Sequence, residues 1–296
     1  MSIIEKFNMR IHNYIKTIYD SSLIITALII LVSMFNPENP GKLKPVHAST
    51  SEAEFRKLIE KARSHESLSR DEVDTVESLA KLRILRNAVY AGHGYRFNSP
   101  DLGSYFSQYK WFTPEHASVK DRLAETDREN LEKITWREFS LQLRQDLVSG
   151  KVKEGGLTKA EKKLIGIWND APVLASGWGN AWQFFPNGTV LYRYNTMDCD
   201  ERNILKLGSW KLEGATLSVS LNTLGYLRGG ELIEATGSCA SDYELIHALP
   251  TLQKMEETET LTFTGVKPVF DAEFERDFIK LDDKRYWKLN VDPWDY

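Results

Sequence analysis

Residues 86–114 read RNAVYAGHGYRFNSPDLGSYFSQYKWFTP, and the parsing of the whole chain follows from this stretch. Just upstream, Val76, Leu79, Leu82, Leu85 and Val89 recur at three- and four-residue spacing, with Arg83 and Arg86 facing elsewhere, which predicts a helix with one buried face. Gly92 and Gly94 then flank His93, and glycine is the usual residue at a helix C-terminus because the left-handed backbone costs it nothing. His93 is thereby fixed just beyond a helix end, near its last carbonyls. Tyr90, Phe97, Phe106 and Trp111 are expected to make a small aromatic core. Three roles stay open for His93: tying the turn to the Trp111 loop by hydrogen bonds, binding a ligand, or serving as a catalytic acid or base.

Working outward, helix-start signals recur between residues 51 and 148. Ser51 with Glu54, Ser69 with Glu72, Thr126 with Glu129 and Thr135 with Glu138 all fit the reciprocal capping box, so four short helices are expected. Trp136, Phe139, Leu143 and Leu147 repeat the helical stripe. Asp101 and Glu115 fall at predicted helix starts, where capping accounts for them.

The order of residues in this region resembles the YARHG domain, a bacterial extracellular domain. In that family a helix runs into Tyr-Ala-Arg-His-Gly, then an aromatic-x-Phe, a Leu-x-x-Tyr-Phe helix and a Trp-Tyr-x-Pro turn. The matching positions are Asn87, Tyr90, Ala91, His93, Gly94, Tyr95, Phe97, Leu102, Tyr105, Phe106, Trp111, Phe112 and Pro114, followed by Asn130 and Ile134. Where the family carries Arg this chain has Gly92, so a planar two-point donor is missing from the motif unless Arg96, four positions on, reaches the same side. The resemblance implies an envelope setting, with Tyr90, His93, Tyr95, Arg96 and Trp111 as candidate binding residues.

C-terminal to this region the texture changes. Residues 151–163 carry the glycine and charge content of a linker, in which Thr158 with Glu161 starts a short helical turn. From residue 164 apolar residues alternate, as in Val190, Tyr192 and Tyr194 or Leu217, Val219 and Leu221, while Pro186-Asn187-Gly188-Thr189 and Glu213-Gly214-Ala215-Thr216 supply tight turns. The predicted fold class is α+β: a small helical domain at residues 49–150, then an antiparallel β-barrel or sandwich at residues 164–296. Gly166-Ile167-Trp168 and Gly208-Ser209-Trp210 resemble the Gly-x-Trp habit of lipocalin-like small barrels, in which the Trp has a structural role. Asp198, Asp200 and Glu201 lack the spacing of a calcium loop and read as a solvated acidic turn.

The remaining expectations concern compartment and partners. Lys6, Arg10 and Lys16 precede the uncharged run SSLIITALIILVSMF at residues 21–35, the layout of a secretory signal, with Val46-His47-Ala48 as the cleavage motif. The run is short for a membrane span, which needs about 20 residues, so residues 1–48 are expected to be a signal peptide or, if uncut, an N-terminal anchor and the chain's only membrane contact. In an oxidising envelope Cys199 and Cys239 are expected to be disulfide-bonded. A net charge of -4, with Lys and Arg interspersed among acids, excludes a phosphate-neutralising patch and hence nucleic acid as partner. Neither metal-ligand spacing, a P-loop nor a nucleophile elbow is present in motif form, so no cofactor and no metal are expected. The first functional expectation is a non-catalytic binding protein that contacts a cell-wall component or another envelope protein. Its rivals are an enzyme acting on cell-wall material with His93 as acid or base, and a carrier of a small apolar ligand inside the β domain.

Overall fold

The computed structural model describes residues 50–150, 156–172, 179–237 and 239–294. The leader and cleavage motif read at residues 1–48 lie outside the described residues.

Two reciprocal capping boxes start the first two helices of the described residues. Ser51 and Glu54 exchange side-chain and backbone hydrogen bonds at the head of α1 (Glu52–Arg63), and Ser69 and Glu72 do the same for α2 (Arg70–Asp74). Phe55, Leu58, Ile59 and Ala62 put the buried face of α1 against α3 (Leu79–Gly92), which contributes Leu82, Leu85, Ala88 and Val89 to the same core. Each large apolar side chain buried there is worth about 2 kcal/mol of transfer free energy. The short α4 (Pro100–Ser107), with Pro100 in its first turn, adds Leu102 and Phe106. Phe106 sits at the centre of the expected aromatic core, with Phe97 at 5.2 Å, Phe112 at 5.8 Å and Trp111 at 6.1 Å between ring centroids.

Of the two later helix starts expected from the sequence, the one at Thr126 falls two residues earlier, at Ala124, and the one at Thr135 does not occur. After a 3-10 turn at Lys120–Arg122, one 24-residue helix, α5 (Glu125–Val148), begins at Ala124, whose N–H is accepted by Asp127. Thr135 lies inside that helix, and its hydroxyl donates to the Leu131 carbonyl one turn back. The apolar residues of α5 serve two partners. Leu131 and Ile134 join the helical core, while Phe139 reaches the sheet beside Gly225, where an added Cβ would meet its ring at 3.1 Å. The last helix, α6 (Lys159–Leu164), carries the predicted Thr158 and Glu161 capping box.

Nine strands form one antiparallel sheet in the order β6-β5-β4-β3-β2-β1-β9-β8-β7. They are β1 (Gly166–Asn169), β2 (Ala181–Phe184), β3 (Thr189–Arg193), β4 (Asn203–Glu213), β5 (Thr216–Glu234), β6 (Tyr243–Phe263), β7 (Val269–Asp271), β8 (Arg276–Leu281) and β9 (Lys284–Asn290). Both predicted tight turns are present, joining β2 to β3 and β4 to β5. The sheet curls around a core of Trp168, Trp182, Phe184, Trp210, Val219 and Ile279, so that Phe263 on β6 comes within 6.3 Å of Trp182 four strands away. It does not close: β6 and β7 are its edges and share no ladder. Trp168 and Trp210 are buried and donate to the Leu164 and Phe185 carbonyls, which is the structural role expected of the Gly-x-Trp pairs.

The β5–β6 hairpin is far longer than its neighbours. Burial alternates along β5 as far as Gly225 and gives way to exposure from Gly229 onward, because the outer half leaves the sheet core. That outer half passes over α5 and brings Leu249 against the helical core. Its turn is fastened to the β3–β4 loop by the Cys199–Cys239 disulfide, with Cα atoms 5.5 Å apart, and by the Leu245 N–H donating to the Cys199 carbonyl at 3.0 Å.

Candidate functional site

Three helix termini meet at one buried carboxylate. α1 ends with Ser64 as its cap and His65 in the left-handed backbone at φ 61°, and the Glu66 N–H closes the turn on the Lys61 carbonyl at 3.0 Å. α3 ends in the same way, with His93 as its cap, Gly94 at φ 73° and the Tyr95 N–H on the Tyr90 carbonyl at 3.1 Å. This is the Schellman arrangement, which satisfies the last carbonyls of a helix. The two imidazoles project toward the first turn of α5, where Asp127 is fully buried. His65 Nδ1 donates to one Asp127 oxygen at 2.9 Å and His93 Nε2 to the other at 2.8 Å, with the rings 4.1 Å apart. An ionised carboxylate only accepts, so these two nitrogens carry the protons.

Burial pushes the Asp127 carboxyl up, but the hydrogen bonds from His65, His93 and the Ala124 N–H more than offset it and leave the group below its ordinary value. Asn130, one turn on and also fully buried, accepts from the Leu68 N–H at 2.9 Å and donates to the Glu66 carbonyl at 2.8 Å. The segment carrying His65 is therefore clamped on both sides.

A second feature is an open cleft of about 1300 Å³ between α3, α5 and the outer half of the β5–β6 hairpin. Tyr90, Tyr95, Arg86 and Glu138 line its helical side; Arg228, His247 and Leu249 line the hairpin side. Arg86 donates to Glu138 at 2.6 Å. Burial raises the Glu138 carboxyl, and Arg86 and Arg83 only partly counter it. Burial likewise raises Tyr90.

The residues singled out in the sequence thus divide. Tyr90 and Tyr95 belong to the cleft, and His93 belongs to the carboxylate cluster. Trp111 packs on Phe106 and Tyr109 beneath the Arg63 guanidinium, 5.2 Å from its ring centre. Arg96 is exposed and its Nη2 donates to the Glu115 carbonyl at 3.5 Å. The expected tie between His93 and the Trp111 loop is made by other groups: the Gly94 carbonyl accepts from the Glu115 and His116 N–H groups, each at 2.9 Å. Asp101 pairs with Arg83 and Ser99, and Glu115 follows no helix start. Gly92 has a steric reason to be glycine, since a Cβ there would overlap the Arg63 carbonyl and stand 2.9 Å from the Arg63 Cα. An arginine at this position is incompatible with the way α1 lies on α3.

Sequence reasoning missed His65 and Asp127. The signal for Asp127 was present, since a carboxylate three residues after Ala124 caps a helix as Glu does, but the neighbouring Thr126 and Glu129 pair took its place. His65 gave no signal, because a non-glycine residue at the left-handed position after a helix is uncommon.

Residues 57–138 match the family model described as the YARHG domain. No curated protein and no solved structure matches the chain. The Tyr90–Gly94 turn, the aromatic core around Phe106 and all three members of the carboxylate cluster fall inside the matched stretch, which makes residues 57–138 of this chain a YARHG domain, an extracellular type of module.

Proposed function

We propose that this chain is an extracytoplasmic binding protein, exported by its N-terminal segment, whose cleft between the YARHG helices and the β5–β6 hairpin receives a polar, carboxylate-bearing component of the cell wall. The observation that carries this reading is the composition of the cleft. Tyr90 and Tyr95 offer apolar faces with polar tips, and Arg228 lines the opposite wall near Tyr90, with no ion pair to an acid among the described residues. Aromatic rings beside an uncommitted guanidinium suit a sugar-peptide chain with free carboxylates. The disulfide fits an oxidising compartment, and the YARHG domain is of an extracellular kind. Among the described residues no helix is long and apolar enough to cross a membrane. The sheet core is filled by Trp168, Trp182, Phe184 and Trp210, which disfavours an apolar ligand held there.

The His93–Asp127 hydrogen bond supports a second reading, since a carboxylate behind an imidazole is how a general base is oriented. One experiment separates the two. The full chain is incubated with purified peptidoglycan and scored for retention and for soluble fragments released. Binding predicts retention without release, weakened at least tenfold by Arg228→Glu. Absence of retention, or retention indifferent to that variant, contradicts it; release that disappears in His93→Ala establishes the enzyme instead.

A further inference from the structure

The carboxylate cluster has the donor set of a metal site. We propose that His65, His93 and Asp127 bind a divalent transition-metal ion of the zinc class, through His65 Nδ1, His93 Nε2 and an Asp127 oxygen. These donor atoms all lie within 4.8 Å of one another. A tetrahedral ion with bonds of about 2.0–2.1 Å needs its donors about 3.4 Å apart, so modest ring movements suffice. Coordination replaces the two hydrogen bonds to Asp127. On each imidazole the proton moves to the other ring nitrogen, so the neutral ring presents a lone pair to the ion.

Two further observations favour a cation here. First, α1 and α3 both terminate at the cluster, and the partial negative charge of these two C-termini, with that of the Asp127 carboxylate, outweighs the partial positive charge of the α5 N-terminus. Second, His65 occupies the left-handed position where glycine or asparagine is the ordinary choice, and a histidine there costs about 1 kcal/mol of backbone strain. A turn needing only closure would take glycine; this one holds an imidazole against a buried carboxylate. Asp127 keeps the Ala124 N–H at 2.9 Å, which orients the ligand oxygens. Three protein donors leave a fourth position for water or for a donor atom of a bound molecule.

The test uses the full chain stripped of metal by chelation. Zn²⁺ titration followed by calorimetry is expected to saturate at one ion per chain and to raise Tm, and Co²⁺ is expected to give the intense visible absorption of a tetrahedral site. His65→Asn tolerates the left-handed backbone while lacking the ring. It removes one hydrogen bond to the buried Asp127 carboxylate, so a lower metal-free Tm is expected, and on the folded variant Zn²⁺ binding should be at least tenfold weaker. Asp127→Asn should weaken it as well; if that variant fails to fold, His65→Asn decides alone. Absence of saturable binding, or binding in His65→Asn equal to that of the unmodified chain, overturns the proposal. Neither result bears on wall retention, so the two readings can fail separately.

Discussion

Glu138 shows how a single charge is set by its surroundings. Its side chain is 14% exposed on α5 and faces Arg86 across the cleft wall. Burial outweighs the attraction of Arg86 and Arg83, so the folded protein holds the proton more tightly than the unfolded chain does. The linkage sign follows. Between the ordinary carboxylate value and the raised one, the folded state binds more protons, and stability falls as pH rises through that window. Glu138→Gln cannot ionise and is expected to lose this decline, so its stability relative to the unmodified chain should increase from acid to neutral pH. Urea unfolding at the two pH values checks this, and a variant whose stability relative to the parent stays constant or falls toward neutrality would contradict it. Gly92 illustrates a steric counterpart. Its missing side chain lets the backbone of Arg63 lie directly on α3, and the guanidinium over Trp111 comes from that neighbouring helix.

Among the elements, the β5–β6 hairpin does the most to shape the cleft. It contributes an entire wall, yet the β5 arm of its outer half is exposed. It is held in place by the contact of Leu249 with the helical core, the ion pair of Glu231 with Arg128, the Leu245 N–H on the Cys199 carbonyl and the covalent tie at the turn. The disulfide spans 40 residues of sequence, and closing a loop of that size is worth about 4 kcal/mol in the chain-entropy model. Replacing both cysteines by serine is expected to cost about that much in urea unfolding and to speed amide exchange in residues 228–250 more than in β1–β4. Equal exchange in the two regions would show that the hairpin is held by packing alone. The elements also show what sequence can carry. Ser51, Ser69 and Thr158 announced their helices because a capping box is a local bargain between residues three apart. Thr126 carried the same pattern but the helix starts two residues earlier, on the Ala124 N–H and Asp127, and Thr135 misled because tertiary packing of Leu131, Ile134 and Phe139 on two sides carries α5 straight through it.

At the scale of the molecule, the described residues of the helical and β regions belong to one unit. The α+β order was legible in the change from helical to alternating periodicity, and the disulfide in two cysteines plus the expectation of an oxidising compartment. The sites were legible only in part. Tyr90, His93 and Tyr95 stand in one short motif, but His65 pairs with Asp127 across 62 positions and Arg228 meets Tyr90 from a hairpin still further along. No periodicity encodes such meetings; they follow from how α5 and the hairpin dock. The binding account therefore depends on both walls acting together. Hydrogen–deuterium exchange of the full chain with and without solubilised peptidoglycan fragments examines that directly. The account predicts protection appearing at the same ligand concentration in residues 83–95 and in residues 225–252; protection confined to one wall, or found only elsewhere in the chain, would contradict it.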